Sequence, residues 1–246
     1  MIGGVHRVGD TVRRPTGDWT PAVHQLLDHL ERVGFDGAPR LLGVDANENE
    51  VLTFVEGEPG SLGYPAALLG DVGVLEVGSF IRRFHDAVGS FRPQRDALWR
   101  IGAKPIEADE IVCHGDLGHW NTVWRGDRLV AAIDWDFAEP NSPLRDLATA
   151  ALGVVPFVDD ARAQRMGFEQ PPDRRHRLTG LCDAYEQASP SDVVDAAIVY
   201  LETEAARVNE FGAAGREPWH SLLRARQPTV LRARANWLRA NRRAFT

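Results

Sequence analysis

The sequence predicts an α+β chain in two lobes, a small β-sheet lobe followed by a larger, mainly helical one. Three observations predict it. Short β-type runs flank a single amphipathic helix up to residue 55, Glu56-Gly57-Glu58-Pro59-Gly60 breaks the pattern, and helical periodicity dominates beyond residue 143. The lobes are therefore expected at residues 1–56 and 57–246. At 246 residues the chain is long enough to bury a substantial core.

Val5 to Val8 and Thr11 to Arg14 are β-leaning runs around the turn pair Gly9-Asp10, which reads as a hairpin ended by Pro15. Trp19-Thr20-Pro21 opens a helix, with Thr20 as the capping residue and Pro21 in the first helical position. Val23, Leu26, Leu27 and Leu30 give that helix its apolar stripe, and Gly34 closes it. Ala38 to Val44 and Glu50 to Val55 read as two more strands across a polar turn at Asp45 to Asn49. Past the break, Val74 to Phe91 reads as a helix with Leu75, Val77, Phe80, Ile81, Phe84 and Val88 on its apolar faces. Ser191 to Phe211 and Pro228 to Phe245 are the clearest later helices.

Composition narrows the function classes. A net charge of −7 argues against a nucleic-acid binder, which needs a cationic footprint to displace counterions, and leaves cationic small substrates open. No apolar run is long enough for a bilayer and no basic-then-apolar leader is seen, so the expectation is a soluble, cytoplasmic protein without a membrane partner. Nothing specifies an oligomeric state. Cys113 and Cys182 sit in apolar or helical segments and read as buried thiols. Lys104 is the single lysine.

The chemistry is concentrated in one segment. Ile111-Val112-Cys113 is a short strand that delivers His114-Gly115-Asp116-Leu117-Gly118-His119-Trp120-Asn121. A strand pair follows, Thr122 to Trp124 and Leu129 to Ile133, and it ends in Asp134-Trp135-Asp136. A carboxylate after one strand, an amide five residues on and a second carboxylate after the paired strand converge on one point. Such a set suits phosphoryl transfer, where catalysis is mainly positioning and charge neutralisation. Asp116 would orient an acceptor hydroxyl and take its proton, while Asn121 and Asp134 would hold Mg²⁺ through hard oxygen ligands.

Residue by residue, this segment resembles the His-Gly-Asp-x-x-x-x-Asn loop and Ile-Asp-aromatic-acid motif of the aminoglycoside phosphotransferase and choline kinase family. Asp146, in Pro143-Leu144-Arg145-Asp146, resembles the family's following aspartate, which braces the loop. The resemblance implies a protein-kinase-like fold and transfer of the terminal phosphate of ATP or GTP to a hydroxyl of a small molecule such as an aminoglycoside, sugar or amino alcohol. It implies too that the base hangs from backbone groups of Thr53, Phe54, Val55 and Glu56.

Three features depart from the family pattern. Only Met1 to Gly4 precede the first strand, where the resemblance implies a further strand and a phosphate-covering loop. Arginine stands where the nucleotide-contacting lysine is expected, Arg13 being the expected contact and Arg14 the alternative, since only one of two successive strand residues can face the cleft. The lysine's usual glutamate partner falls near His24. These departures keep open the alternative of a catalytically inactive, nucleotide- or ligand-binding pseudokinase.

Plainer readings stand beside the sharp ones. His114 reads as a loop-holding histidine, and His119 as a packing or solvent-facing residue with a substrate contact as the alternative. Asp136 is either a further metal contact or an exposed strand-end carboxylate. Trp120, Trp124 and Trp135 read as core. Glu202, Glu204, Glu210 and Asp159-Asp160 form a solvated face or attract a cationic substrate. A two-histidine, one-carboxylate iron site built on His114 and Asp116 would need an all-β barrel, against which the helical half argues.

Overall fold

The computed structural model describes residues 4–246, so the expectation that a covering strand is missing before Gly4 falls largely outside the described residues. β1 (His6–Val8) and β2 (Thr11–Pro15) form the expected hairpin, turning through Gly9 at φ 59°. α1 (Thr20–Arg32) buries Val23, Leu26, Leu27 and Leu30, the i, i+3, i+4, i+7 stripe that drives it onto the core. Its start differs from expectation. Trp19 occupies the N-cap, while the Thr20 hydroxyl accepts a hydrogen bond from the Gly17 N–H at 2.8 Å and so closes the preceding turn.

β3 (Leu41–Val44) and β4 (Asn49–Thr53) complete an antiparallel sheet of order β1-β2-β4-β3. Register matters here: β2 pairs with β4 so that Arg14 stands directly opposite Glu50, and Arg13 opposite Val51. Cross-strand partners share a face. The chain after β4 is not merely a break. β5 (Glu58–Pro59) adds an edge to a second sheet, and Gly60 packs so closely that a Cβ there would sit 1.9 Å from the His119 carbonyl oxygen.

α2 (Asp71–Val88) buries Val74, Val77, Phe80, Ile81, Phe84 and Val88, each worth about 1.5–3 kcal/mol of apolar burial. Leu75, expected inside, is 46% exposed, because Val74 takes the core-facing position of that turn. A hairpin of β6 (Leu98–Trp99) and β7 (Gly102–Ala103) leads to β8 (Ile111–Cys113). β9 (Thr122–Arg125) pairs with β10 (Arg128–Ala132) and β5, and β11 (Glu139–Asn141) pairs with β8.

The remainder is helical: α3 (Leu144–Val154), α4 (Asp160–Arg165), α5 (Arg174–Tyr185), α6 (Pro190–Ala213), α7 (Trp219–Arg224) and α8 (Gln227–Phe245). α6 begins with a capping box, Ser189 and Asp192 satisfying each other's backbone N–H groups. Every residue of α3 from Arg145 to Val154 is buried, so this helix is the axle around which α2, α5 and α6 pack. One apolar cluster runs from α1 through α2 and α3 to α8, and Cys113 and Cys182 lie free and buried. Among the described residues no helix is long and apolar enough to cross a membrane.

Candidate active site

The 114–121 loop is fixed from below by one buried carboxylate. Asp146, on the first turn of α3, accepts from the backbone N–H groups of His114 (2.9 Å) and Gly115 (3.0 Å), and His85 from α2 reaches it at 3.2 Å. Tyr185 on α5 closes the chain at 2.9 Å from the other His85 nitrogen. Burial alone would raise the Asp146 pKa, but His85, His114 and the backbone donors outweigh it and hold the carboxylate below its ordinary value. Gly115 sits at φ 82°, and a Cβ there would come within 1.9 Å of the Phe137 carbonyl oxygen, so the turn that aims Asp116 is open only to glycine. His114 is fully buried, with Nε2 3.0 Å from the Ile133 carbonyl and Nδ1 accepting from the Asp116 N–H at 3.3 Å, which spends both ring nitrogens on the loop.

Asp116 projects into the cleft. Its Oδ2 accepts from Asn121 Nδ2 at 2.9 Å and from Trp120 Nε1 at 3.2 Å, and Asn121 Nδ2 also donates to the Asp116 carbonyl at 2.9 Å. Burial pushes the Asp116 carboxyl up to about 7; Asp134 and Glu204 push the same way, against Trp120 and Asn121. A carboxyl poised there exchanges a proton near neutral pH. Trp120, expected in the core, is 37% exposed and roofs this carboxylate, whereas Trp124 and Trp135 are buried as expected.

The Ile133 N–H donates to the Asn121 carbonyl at 2.9 Å, which ties the start of the Asp134 segment to the loop. Asp134 itself adopts φ 63°, a left-handed conformation uncommon outside glycine and of a kind that clusters at functional sites. Its carboxylate is 44% exposed to the cleft. With Asn121 Nδ2 committed to Asp116, the amide oxygen is left for another partner. An amide oxygen and a carboxylate on adjoined backbones are the donor types a hard divalent cation takes, so the residues fit Mg²⁺.

Facing them is arginine, and it is Arg14. Arg13 turns to the other face and pairs with Asp45 at 3.2 Å, because alternation along β2 sends the two side chains apart. Arg14 donates to Asp134 at 2.9 Å and to Asp136 at 2.7 Å, and its Nε contacts Glu50. Burial would lower its pKa, yet Asp136, Glu50 and Asp134 hold it raised. The carboxylate that the resemblance places on the helix is supplied instead by Glu50 on β4, and His24 of α1 hydrogen-bonds it at 2.8 Å.

Asp136 is neither exposed nor free. It lies between Arg14 and Arg100, the latter at 2.6 Å from the β6–β7 hairpin, stacked on Trp19 with 4.2 Å to the ring centroid. Burial raises its pKa and the two arginines oppose that. His24, Glu50, Arg100 and Trp19 were not singled out as a set from the sequence. His24 was named only as the place where the expected glutamate is missing, and Glu50 carried a signal as a charge on the inward phase of a strand.

Of the expected hinge groups, the Thr53 N–H is held by the Arg40 carbonyl at 2.9 Å and the Phe54 N–H by that of Asp10 at 2.8 Å. Arg7 stacks 3.5 Å over Phe54 and pairs with Glu56 at 2.8 Å. Among the described residues the Val55 N–H makes no backbone hydrogen bond. His119 packs between Tyr64 and Trp120, each ring 5.1 Å away. Most of the acidic face is internally satisfied: Glu204 pairs with Arg145 (2.8 Å) and Arg207 (3.0 Å), Asp160 with Arg174 (2.8 Å), Glu202 with Arg239, and Asp159 caps α4, while Glu210 is exposed and makes no ion pair among the described residues.

A model described as "phosphotransferase enzyme family" matches residues 91–181, which contain the whole 114–146 constellation. The trifolitoxin immunity protein of Rhizobium leguminosarum bv. trifolii is 34% identical over 211 residues, covering 82% of this chain and 78% of that one. The chain belongs to the phosphotransferase enzyme family. Solved members share its protein-kinase-like fold. An aminoglycoside phosphotransferase from Streptomyces rimosus, in complex with ADP and streptomycin, superposes with a TM-score of 0.52 at 17% identity, over 78% of this chain and 85% of that one. The GDP complex of aminoglycoside 2'-phosphotransferase-IIIa gives 0.58 at 12% identity, over 93% and 87%. As a member of the phosphotransferase family the protein is a small-molecule kinase, and membership implies a nucleotide donor.

Proposed function

We propose that this phosphotransferase moves the terminal phosphate of ATP or GTP, with Mg²⁺, onto a hydroxyl of a small molecule. The observation that carries the reading is Asp116: a carboxylate held by Asn121 and Trp120 at the cleft, with its proton affinity raised to about 7. In this reading Asp116 accepts the hydroxyl proton as the oxygen attacks the phosphorus, and Asn121 keeps the carboxylate aimed. Asn121 and Asp134 would hold Mg²⁺, which neutralises charge on the donor phosphates when bound. Arg14 is the proposed phosphate contact in place of Arg13; a planar guanidinium grips phosphate oxygens bidentately where a lysine would offer a point charge. Val55 is the proposed hinge donor to the base, with Thr53 and Phe54 shaping the strand beneath it.

One observation favours a second reading, a nucleotide-binding member without turnover. Arg14 is shared among Glu50, Asp134 and Asp136, so binding the metal-nucleotide requires Asp134 to exchange an arginine for a cation. Nucleoside diphosphate release during incubation with pooled hydroxyl acceptors separates the two. The trifolitoxin immunity relative puts peptide toxins into that pool, and the streptomycin-bound neighbour puts aminoglycosides there, beside metabolites. Acceptor-dependent release that Asp116→Asn abolishes supports transfer. Tight Mg-nucleotide binding with no release from any pool supports the second reading.

A further inference from the structure

Arg14 has three carboxylate partners, and they are not equivalent. Its Nε contacts Glu50, whose side chain is 2% exposed. Nη2 donates at 2.7 Å to Asp136, 14% exposed, and Nη1 at 2.9 Å to Asp134, 44% exposed. A carboxylate already in water loses little when an arginine leaves it, whereas a buried one is left as an uncompensated charge. Asp134 is therefore the partner that can be exchanged, and Glu50 and Asp136 are the ones that stay. Once Asp134 is released, Nη1 is the free donor facing the cleft.

Asp136 is itself held from its other side. Arg14 takes its Oδ1, and Arg100 donates to Oδ2 at 2.6 Å, so both carboxylate oxygens are occupied. The Arg100 guanidinium has little freedom to turn away, because two rings flank it: Trp19 at 4.2 Å to the centroid and Phe137, the residue after Asp136, at 4.9 Å. Its backbone is fixed as well, the carbonyl accepting from Arg216 at 2.7 Å. Arg100 is 7% exposed, and among the described residues Asp136 is its one acidic partner. Turning Asp136 over to a metal ion would strand that guanidinium as a buried, unpaired charge.

We propose that Arg100 is a positioning residue of the donor site, acting through Asp136. It keeps Asp136 out of the metal's coordination and in place as the anchor that aims Arg14, so that Arg14 can leave Asp134 for a donor phosphate without leaving the cleft. The inference rests on the phosphotransfer reading of Arg14 and Asp134, and its test is separable from it. Mg·ATP and Mg·GTP are titrated calorimetrically into the wild type, Arg100→Gln, Asp136→Asn and the double variant, and the tighter nucleotide is followed. Mn²⁺ binding at saturating nucleoside diphosphate is read by paramagnetic resonance, with Asp134→Ala as the reference for a lost metal. Arg100→Gln should weaken nucleotide binding by about tenfold, the scale of one charged hydrogen-bonding contact. Asp136→Asn should weaken it by a similar factor, although deleting an anion beside the phosphate site would by itself favour an anionic ligand. The double variant should bind no worse than the weaker single variant, because residues that act through one contact are not additive. Asp136→Asn should keep the saturable Mn²⁺ binding that Asp134→Ala loses. If Arg100→Gln does not fold, Asp136→Asn, which preserves the shape of the side chain, carries the test. Wild-type or tighter nucleotide affinity in Asp136→Asn, additive losses in the double variant, or loss of Mn²⁺ from Asp136→Asn as complete as from Asp134→Ala would overturn the inference. Binding of neither nucleotide to any of the proteins is a separate failure, which removes the phosphotransfer reading and the inference with it.

Discussion

The two sides of the cleft are built in opposite ways. On the helical side the 114–121 loop hangs from Asp146 by two backbone N–H groups, and His85 and Tyr185 brace that carboxylate from behind. On the sheet side a single side chain, Arg14, reaches across to Asp134 and Asp136 while Glu50 and His24 steady its base. The first arrangement uses buried backbone groups that no ligand can replace. The second uses ion pairs whose partners can be exchanged when a phosphate or a metal enters. In the proposed reading, the geometry for proton transfer is fixed in advance, while the charge that would meet the donor is left free to be redistributed.

The sharpest break is at Asp116. Asp116→Asn keeps both side-chain hydrogen-bond donors near a similar shape, so fold and nucleotide affinity should hold while turnover falls by about 10²–10⁴; steady-state transfer rates beside a nucleotide titration check this. Next is the brace. Asp146→Ala strands two buried N–H donors and His85, at about 1–3 kcal/mol for each unsatisfied group, and urea unfolding should show a loss of about 3 kcal/mol or more. An unchanged midpoint would mean the helical side is not held as described.

The sheet side should respond to ligand as well as to denaturant, since replacing Arg14 also leaves the buried Glu50 carboxylate with His24 alone. Arg14→Gln should weaken Mg-nucleotide binding by about tenfold, the scale of one charged hydrogen-bonding contact. Arg13→Gln, on the other face and paired with Asp45, should leave affinity within about twofold, as a surface pair contributes little. A reversal of the two would restore Arg13 as the contact and undo the comparison.

The smallest effect is on pH. Burial holds the His114 pKa below its ordinary 6.5, so beneath that pH the unfolded chain takes up a proton that the folded chain refuses, and stability falls. Asp146, held below its ordinary value, adds stability that is lost as pH drops through its folded pKa. Asp116 works in the opposite direction, its raised carboxyl favouring the folded state as pH falls from about 7 towards its ordinary 3.8. Measured on Asp116→Asn to remove the larger carboxyl offset, with the raised Asp136 left in place, the melting temperature should decline from pH 7 to pH 5 by a few degrees through His114 and the likewise lowered His119, the scale of about 1 kcal/mol. A flat profile that persists in His119→Gln would mean that His114 is not buried neutral.

The same contrast explains what the sequence made legible. The helical side is written in local spacing: Asp116, Asn121, Asp134 and Asp146 fall within one short stretch and the strands between them bring them together, so the loop and its brace could be read in order. The sheet side is written in register, which spacing does not reveal. Glu50 meets Arg14 only because β2 pairs with β4 in one particular alignment, and choosing Arg14 over Arg13 needed that alignment too. Arg100 and Trp19, 81 positions apart, are joined only by tertiary packing. The strand β5 was hidden because a Glu-Pro pair carries no strand signal, and its pairing follows from how closely Gly60 approaches the His119 carbonyl.

Calorimetric titration of the protein with ATP and with GTP, with and without Mg²⁺, repeated on Asp134→Ala, tests the central claim most directly. The account predicts binding of at least one nucleotide that depends on the metal and is lost or sharply weakened in Asp134→Ala. Absence of binding by either nucleotide, or binding indifferent to both Mg²⁺ and the substitution, would contradict it.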